Sequence, residues 1–408
     1  MRGQDLICIF CPNILGPDTK PEHVLHNGLG GRMTTRRSIC SECNSRFGSG
    51  IDKVLVEQFA VLRNLLQIRS GDGDLPPMVK NAKAGDEIIT IRKDGELQLV
   101  KKPFVVTETP DGGKLLDIRA NSLDQIETYL PHMAAAVKIS EEELRKKLAA
   151  TSGSIHEKYP APFEFGLSFG GPEAIRSAAK ACLVLWSVTT GTEEIKSGPY
   201  NAAIEYINTG DESFHKNRTQ LDSRNYERND FLVSHYGPAY NLIYVTSNSK
   251  GRIIGHFTAL NLIGFAIVLA EAGGIPDCQV ALINDPLTGA WSSDIAHELD
   301  VQFTWFENTS YDYETMERSK GRFDALMAYQ VAAARSRHLA RLIKQVLEGH
   351  GLTEDCQVPP DLFSSISQEL ASRAAHMLMG VGSETPLSQD EMQRRFATVG
   401  GVVRPRSE

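Results

Sequence analysis

From residue 51 the chain settles into a helical rhythm. In IDKVLVEQFAVLRNLLQIRS the apolar residues Ile51, Val54, Leu55, Phe59, Leu62, Leu65 and Leu66 fall on one helix face, and GDGDLPP ends the run. EIITIRKDGELQLVKK then alternates around Asp94-Gly95, and FVVTETPDGGKLLDI around Pro110 to Gly113, so both predict antiparallel hairpins. Helical spacing returns in SLDQIETYLPHMAAAVK and in ISEEELRKKLAAT, where Ser140 is a good N-cap with Glu143 three residues on. FEFGLSFG predicts a strand over 163–170. PEAIRSAAKACLVLWSVTTG predicts a helix entered at Gly171-Pro172 and stopped at Gly191. NAAIEYIN is a shorter helix. NLIYVTSNSKGRIIGHFTALNLIGFAIVLA predicts a hairpin turning near 248–251 with apolar strands beyond it, and long helices follow over 320–348 and 361–379. The stretch 210–231 is polar and irregular, which predicts a solvated loop. Its His215, Arg218, Arg224, Tyr226 and Arg228 offer an anion or nucleic-acid contact as the second reading of the same loop.

Residues 1–50 lack this rhythm. They are rich in Gly, Pro, Cys and polar residues, and a segment of that composition needs a staple to fold. The pattern as a whole predicts an α+β protein: a head over 1–70, a linker over 71–85, a mixed α+β body over 86–385 and a tail over 386–408. At 408 residues, 41% of them hydrophobic and 23% charged, the composition is that of a soluble globular chain. The longest apolar run, Leu262 to Ala270, is about half the ~20 residues of a spanning helix, and MRGQDLICIFC lacks a signal peptide's apolar region. A cytoplasmic location without membrane contact is expected.

Charge changes the picture of the head. The net charge is −8, yet residues 1–70 carry +3 and the remainder −11. A basic head on an acidic body suits a module that faces nucleic acid.

Four of the seven cysteines lie in the first 43 residues, as Cys8-x-x-Cys11 and Cys40-x-x-Cys43. Two turns of this kind can turn four thiolates on one ion, and a closed tetrahedral set implies structural zinc. Cys182, Cys278 and Cys356 are scattered and read as ordinary small residues.

Between the cysteine pairs lies E-H-x-x-x-x-x-L-G-G, beginning at Glu22-His23, and Ile39-Cys40-x-x-Cys43-Asn44-x-x-x-Gly48 follows it. These elements, in this order and spacing, resemble the HNH (ββα-metal) endonucleases, in the subgroup braced by a four-cysteine zinc. The resemblance covers roughly residues 6–55. It implies a zinc-braced ββα-metal fold for the head, in which two short strands carry Glu22 and His23 and a helix carries Asn44. It further implies that His23 is the general base and that Glu22 and Asn44 hold a catalytic Mg²⁺ or Mn²⁺. The chemistry is consistent: imidazole titrates near neutrality, and hard oxygen donors suit a hard cation.

The chain also departs from the family. A bracing Asn is commonly found about where Thr35 stands, and Pro where His26 stands. His26 reads either as an added ligand or phosphate contact, or as a surface histidine. Asp52 either supports the metal from behind its ligands or is an early-helix acid favoured by the dipole. Arg32, Arg36, Arg37 and Arg46 flank the site and would contact backbone phosphates, with little base-specific readout.

The expected function is metal-dependent hydrolysis of nucleic acid, DNA before RNA. A single site cuts one strand, so double-strand cleavage calls for a homodimer or two successive nicks. The resemblance, in its bacterial defence and mobile-element settings, implies that residues 86–385 sense a ligand or partner and control the nuclease. The rival is a non-catalytic zinc-ribbon module that only docks on nucleic acid or protein; it gives no reason for Glu22, His23 and Asn44.

Overall fold

The Pro172–Thr190 helix is the axis on which the apolar pattern converges. In this computed structural model the described residues are 6–101, 103–120, 123–151, 153–157, 163–308, 313–353, 355–379, 383–387 and 389–396. The chain is mixed α+β, with several small sheets and one larger one. It divides into two compact units. The first comprises Met1–Val79, Ile91–Glu96 and Gly166–Ala334; the second comprises Lys80–Thr90, Leu97–Phe165 and Arg335–Glu408.

The first unit is built on a six-stranded antiparallel sheet. Its order is Thr219–Leu221, Ile263–Ala270, Ile253–Ala259, Asn241–Ser247, Gln279–Asn284 and Trp291–Ser292. Successive side chains alternate between faces. Ile243, Val245 and Phe257 enter one core together with the Pro172–Thr190 helix, while Leu242, Tyr244 and Ile254 enter another on the opposite face. Burial on both faces explains why these strands read as nearly continuous apolar runs.

The head joins the first of these cores. Ile9, Phe10, Val24, Leu25, Leu29, Ile39 and Phe47 pack into the same cluster as Ala178, Cys182 and Trp186 of the helix. A segment too poor in apolar residues to bury itself completes its core on the body's helix and sheet.

Three local expectations are corrected. The helix predicted from Ile51 is two helices, Ile51–Gln58 and Ala60–Leu65, meeting at Phe59. Phe59 is fully buried and stacks on Phe169 with ring centroids 4.8 Å apart, so packing overrides helical continuity there. Of the strand predicted over 163–170, Phe163–Glu164 forms; Gly170 instead exchanges two hydrogen bonds with the Gln58 side chain, at 2.7 and 2.9 Å.

The polar stretch 210–231 is ordered structure rather than a solvated loop. It contains the helix Glu212–Arg218, the edge strand Thr219–Leu221 and the start of the helix Asn229–Tyr236. Its polar residues satisfy one another. Buried Asp222 accepts from Arg224 at 2.7 and 2.8 Å, Arg224 lies over the Trp305 ring, and the Tyr226 hydroxyl meets His256 Nδ1 at 2.6 Å. Burial alone would raise the Asp222 pKa, but Arg224 and His256 outweigh it and hold the carboxyl well below its usual range.

Both predicted hairpins are present, as Glu87–Ile91 with Leu97–Leu99 and as Phe104–Glu108 with Lys114–Ile118. The helices Leu123–Val137 and Glu141–Ala149 cover the latter hairpin through Leu130, Met133 and Leu144, and Ser140 caps the Glu143 amide as the sequence predicts. The long helices Tyr313–Gly349 and Pro360–Met379 form where predicted. Among the described residues no helix is long and apolar enough to cross a membrane.

Candidate active site

The four head cysteines converge. The sulfurs of Cys8, Cys11, Cys40 and Cys43 all lie within 4.8 Å of one another, with Cys11 and Cys40 3.5 Å apart. A zinc–sulfur bond of about 2.3 Å gives a tetrahedral edge of about 3.8 Å, so the cluster fits zinc. The Cys8 knuckle is closed by its own amide on Asn13 O (2.8 Å), and Cys40 is the N-cap of the Ser41–Ser49 helix, its sulfur accepting from the Cys43 amide. A helix N-terminus favours thiolate. The crowded thiols polarise one another. The hydrogen bond from Cys43 pulls the Cys8 thiol down to about 5, and the same bond pushes the Cys43 thiol up.

The knuckle positions two short strands and one helix. Glu22–His23 pairs antiparallel with Thr34–Thr35, Glu22 opposite Thr35 and His23 opposite Thr34. Between them the chain turns through Asn27–Leu29, and Gly30 closes the turn at φ +84°, a left-handed conformation that suits glycine. The body grips this turn. Asn241 Nδ2 donates to Leu29 O and Asn284 Nδ2 to Gly30 O, each at 3.0 Å, and both asparagines are buried.

Asn44 projects from the knuckle helix and is buried; its Nδ2 donates to Pro21 O at 2.9 Å, which ties the helix to the residue just before Glu22. Glu22 is also buried, and its Oε1 accepts from Lys180 Nζ at 2.5 Å. The same ammonium reaches Asp52 Oδ2 at 2.5 Å. Asp52 Oδ1 accepts from Ser177 Oγ at 2.6 Å, and Ser177 Oγ lies 2.6 Å from His26 Nε2. Burial alone would strip the Lys180 proton; the Asp52 and Glu22 carboxylates outweigh it and raise its pKa above the usual lysine range. Burial pushes the Asp52 pKa up, and Lys180 and His26 outweigh that in turn, holding it well below the carboxylate range.

His23 stands on the other side of its strand, half-buried, with Nε2 3.6 Å from Asp72 Oδ1. Asp72 is fixed by a reciprocal pair with Asn27, one bond from Asn27 Nδ2 at 2.7 Å and one to Asn27 Oδ1 at 3.1 Å. Burial lowers the His23 pKa, and Asp72 and Glu22 oppose this without reversing it. The loop that brings Asp72 has no room for a side chain at Gly71, where a Cβ would sit 1.8 Å from Gly31 O. Gly71→Ala is therefore expected to lift this loop off the turn and destabilise the protein by about 1–3 kcal/mol, measured by denaturant unfolding with zinc content unchanged.

Each residue singled out in the sequence has a definite place. His26 is buried, not a surface histidine, and bonds Ser177. Asp52 opens the Ile51–Gln58 helix and faces Glu22 across Lys180. Thr35 does not brace His23; its hydroxyl accepts from the Arg37 amide. Arg32 and Arg37 are exposed. Arg36 Nη1 donates to Thr19 O at 2.7 Å, while Arg46 donates to Asn208 at 2.6 Å and lies over Phe47. Lys180, Ser177, Asp72 and the Asn241–Asn284 pair were not singled out. Lys180 had a visible signal: a lone cation within AAKACLVLW must find a partner if that helix is buried.

Residues 8–60 match the model of a family described as HNH endonuclease. No curated protein and no solved structure matches the chain.

Proposed function

We propose that the chain is an endonuclease that hydrolyses DNA phosphodiester bonds, with His23 as general base and one divalent cation on Glu22 and Asn44. The observation that carries this reading is that Glu22 and His23 share one short strand and that Asn44 of the knuckle helix is tied to Pro21, the residue just before it. The donor set fits a hard cation. Glu22 meets Lys180 through Oε1 and Asn44 hangs by Nδ2, so the acceptors not used in these bonds are Glu22 Oε2 and Asn44 Oδ1. Two carboxylates against one ammonium also leave a negative charge to balance.

A half-buried imidazole with a lowered pKa is neutral at pH 7 and ready to take a proton from water. The Asp72 carboxylate beside Nε2 favours the tautomer protonated there, which leaves Nδ1 basic. Attack by that water, its proton passing to His23, forms a bond to phosphorus and breaks the bond to the 3′ oxygen, which takes a proton from solvent, giving 5′-phosphate and 3′-hydroxyl ends. Bound Mg²⁺ or Mn²⁺ supplies Lewis-acid stabilisation of the charge that develops on phosphate and leaving group. Arg32, Arg36, Arg37 and Arg46 are all exposed and would hold backbone phosphates. With zinc in the knuckle, the four thiolates keep the three groups in register.

The test is supercoiled plasmid and, in parallel, single-stranded RNA, incubated with zinc-loaded protein and Mg²⁺, Mn²⁺ or neither. Cation-dependent nicked circles are expected, preceding any linear product. RNA cleavage without DNA cleavage transfers the reading to RNA. Absence of cleavage on both substrates leaves the docking-module alternative.

A further inference from the structure

Lysine is the residue an apolar helix least needs at position 180. Its neighbours Ala178, Ala179, Ala181, Cys182 and Leu183 are all buried in the same core, and an apolar side chain would pack there without an electrostatic penalty. Lys180 instead reaches two carboxylates of the head, 158 and 128 residues away in sequence, at 2.5 Å each. One of them is the carboxylate assigned above to the cation. The cluster continues through Ser177 to His26, so Glu22 adjoins a run of polar groups in which the body's helix supplies Lys180 and Ser177 and the head supplies Asp52 and His26.

Resting on the nuclease reading, we propose that Lys180 is a positioning residue of the site: its ammonium holds Glu22 by Oε1 and so leaves Oε2 to meet the divalent cation. Asp52 keeps that ammonium in place from the other side. The body thus completes the site of the head, and Glu22 is not free to turn towards the cation with either oxygen.

The competing account is an ion pair that only stabilises the fold, or a charge that tunes cation affinity at a distance. Lys180→Met alone leaves two uncompensated buried carboxylates and can unfold the protein. The decisive variant is therefore the full-length double substitution Lys180→Met/Asp52→Asn, which removes one charge of each sign and leaves the charge of the cluster unchanged. Zinc content and melting temperature establish the fold, and calorimetric titration with Mn²⁺ alone, without nucleic acid, reads the site. The double variant is expected to keep its zinc and bind Mn²⁺ about 10- to 100-fold more weakly than the unsubstituted protein. Equal Mn²⁺ affinity in the two overturns the positioning role and leaves the nuclease reading standing. Failure of the unsubstituted protein to bind Mn²⁺ at all overturns both.

Discussion

His23→Ala is expected to lower plasmid cleavage by about 10²- to 10⁴-fold while the protein still folds and carries zinc. The side chain is half-buried and lies outside the hydrophobic clusters, so its loss opens no core cavity. Its ion-pair partner, Asp72, is exposed and keeps both bonds to Asn27 without it. Chemistry and stability should therefore separate. The pH dependence gives a second readout. Burial lowers the His23 pKa from its ordinary 6.5, so the neutral, basic form prevails at neutral pH and is lost only on acidification below that value. Cleavage should rise with pH through this lower range and then level off, and the limb should vanish from any residual activity of the variant. Undiminished cleavage by His23→Ala would remove the general base from the mechanism.

Cys40→Ser should act on the opposite side of this divide. It opens the thiolate set and also changes the N-cap of the helix that carries Asn44. Structural zinc contributes about 10–16 kcal/mol to folding in isolated zinc-finger peptides, more than the whole stability of most domains. Because Ile9, Phe10, Ile39 and Phe47 share a core with the Pro172–Thr190 helix, a released head also uncovers that helix. Loss of stoichiometric zinc, an early melting transition and loss of cleavage together are the expected result, read by metal analysis and calorimetry. A variant that keeps one zinc per chain and melts like the unsubstituted protein would show that the four sulfurs do not form one closed site.

Much of the local structure was legible because it is locally determined. Ser140 caps a helix wherever the chain places it, Gly191 stops one, and alternation around Asp94-Gly95 marks a hairpin. The knuckle was legible for the same reason, since the spacing within each cysteine pair is a property of one turn. Of the proposed site, the sequence points only to residues of the head. Glu22, His23 and Asn44 lie close in sequence, whereas Lys180 is joined to Glu22 by tertiary structure alone. The polar run 210–231 was misread on related grounds. Charge and glycine suggest solvent, but Asp222, Arg224 and Trp305 neutralise and cover one another across some eighty residues. Residues 71–74 carry a comparable lesson, because Asn27 draws Asp72 against His23 from a stretch whose composition suggests only a spacer.

The grip of Asn241 and Asn284 on the turn at Leu29 and Gly30 also orders events in time. The Gly30–Asn284 bond joins residues 254 positions apart, and at about 5–20 residues per second the ribosome needs roughly a quarter of a minute or more to make that stretch. Until then the N-terminal strands wait without the clasp, and before residue 180 emerges Glu22 waits without its ammonium. In the proposed nuclease, the geometry around Glu22 is therefore complete only once the middle of the chain has been made, which predicts that a nascent head does not yet cut.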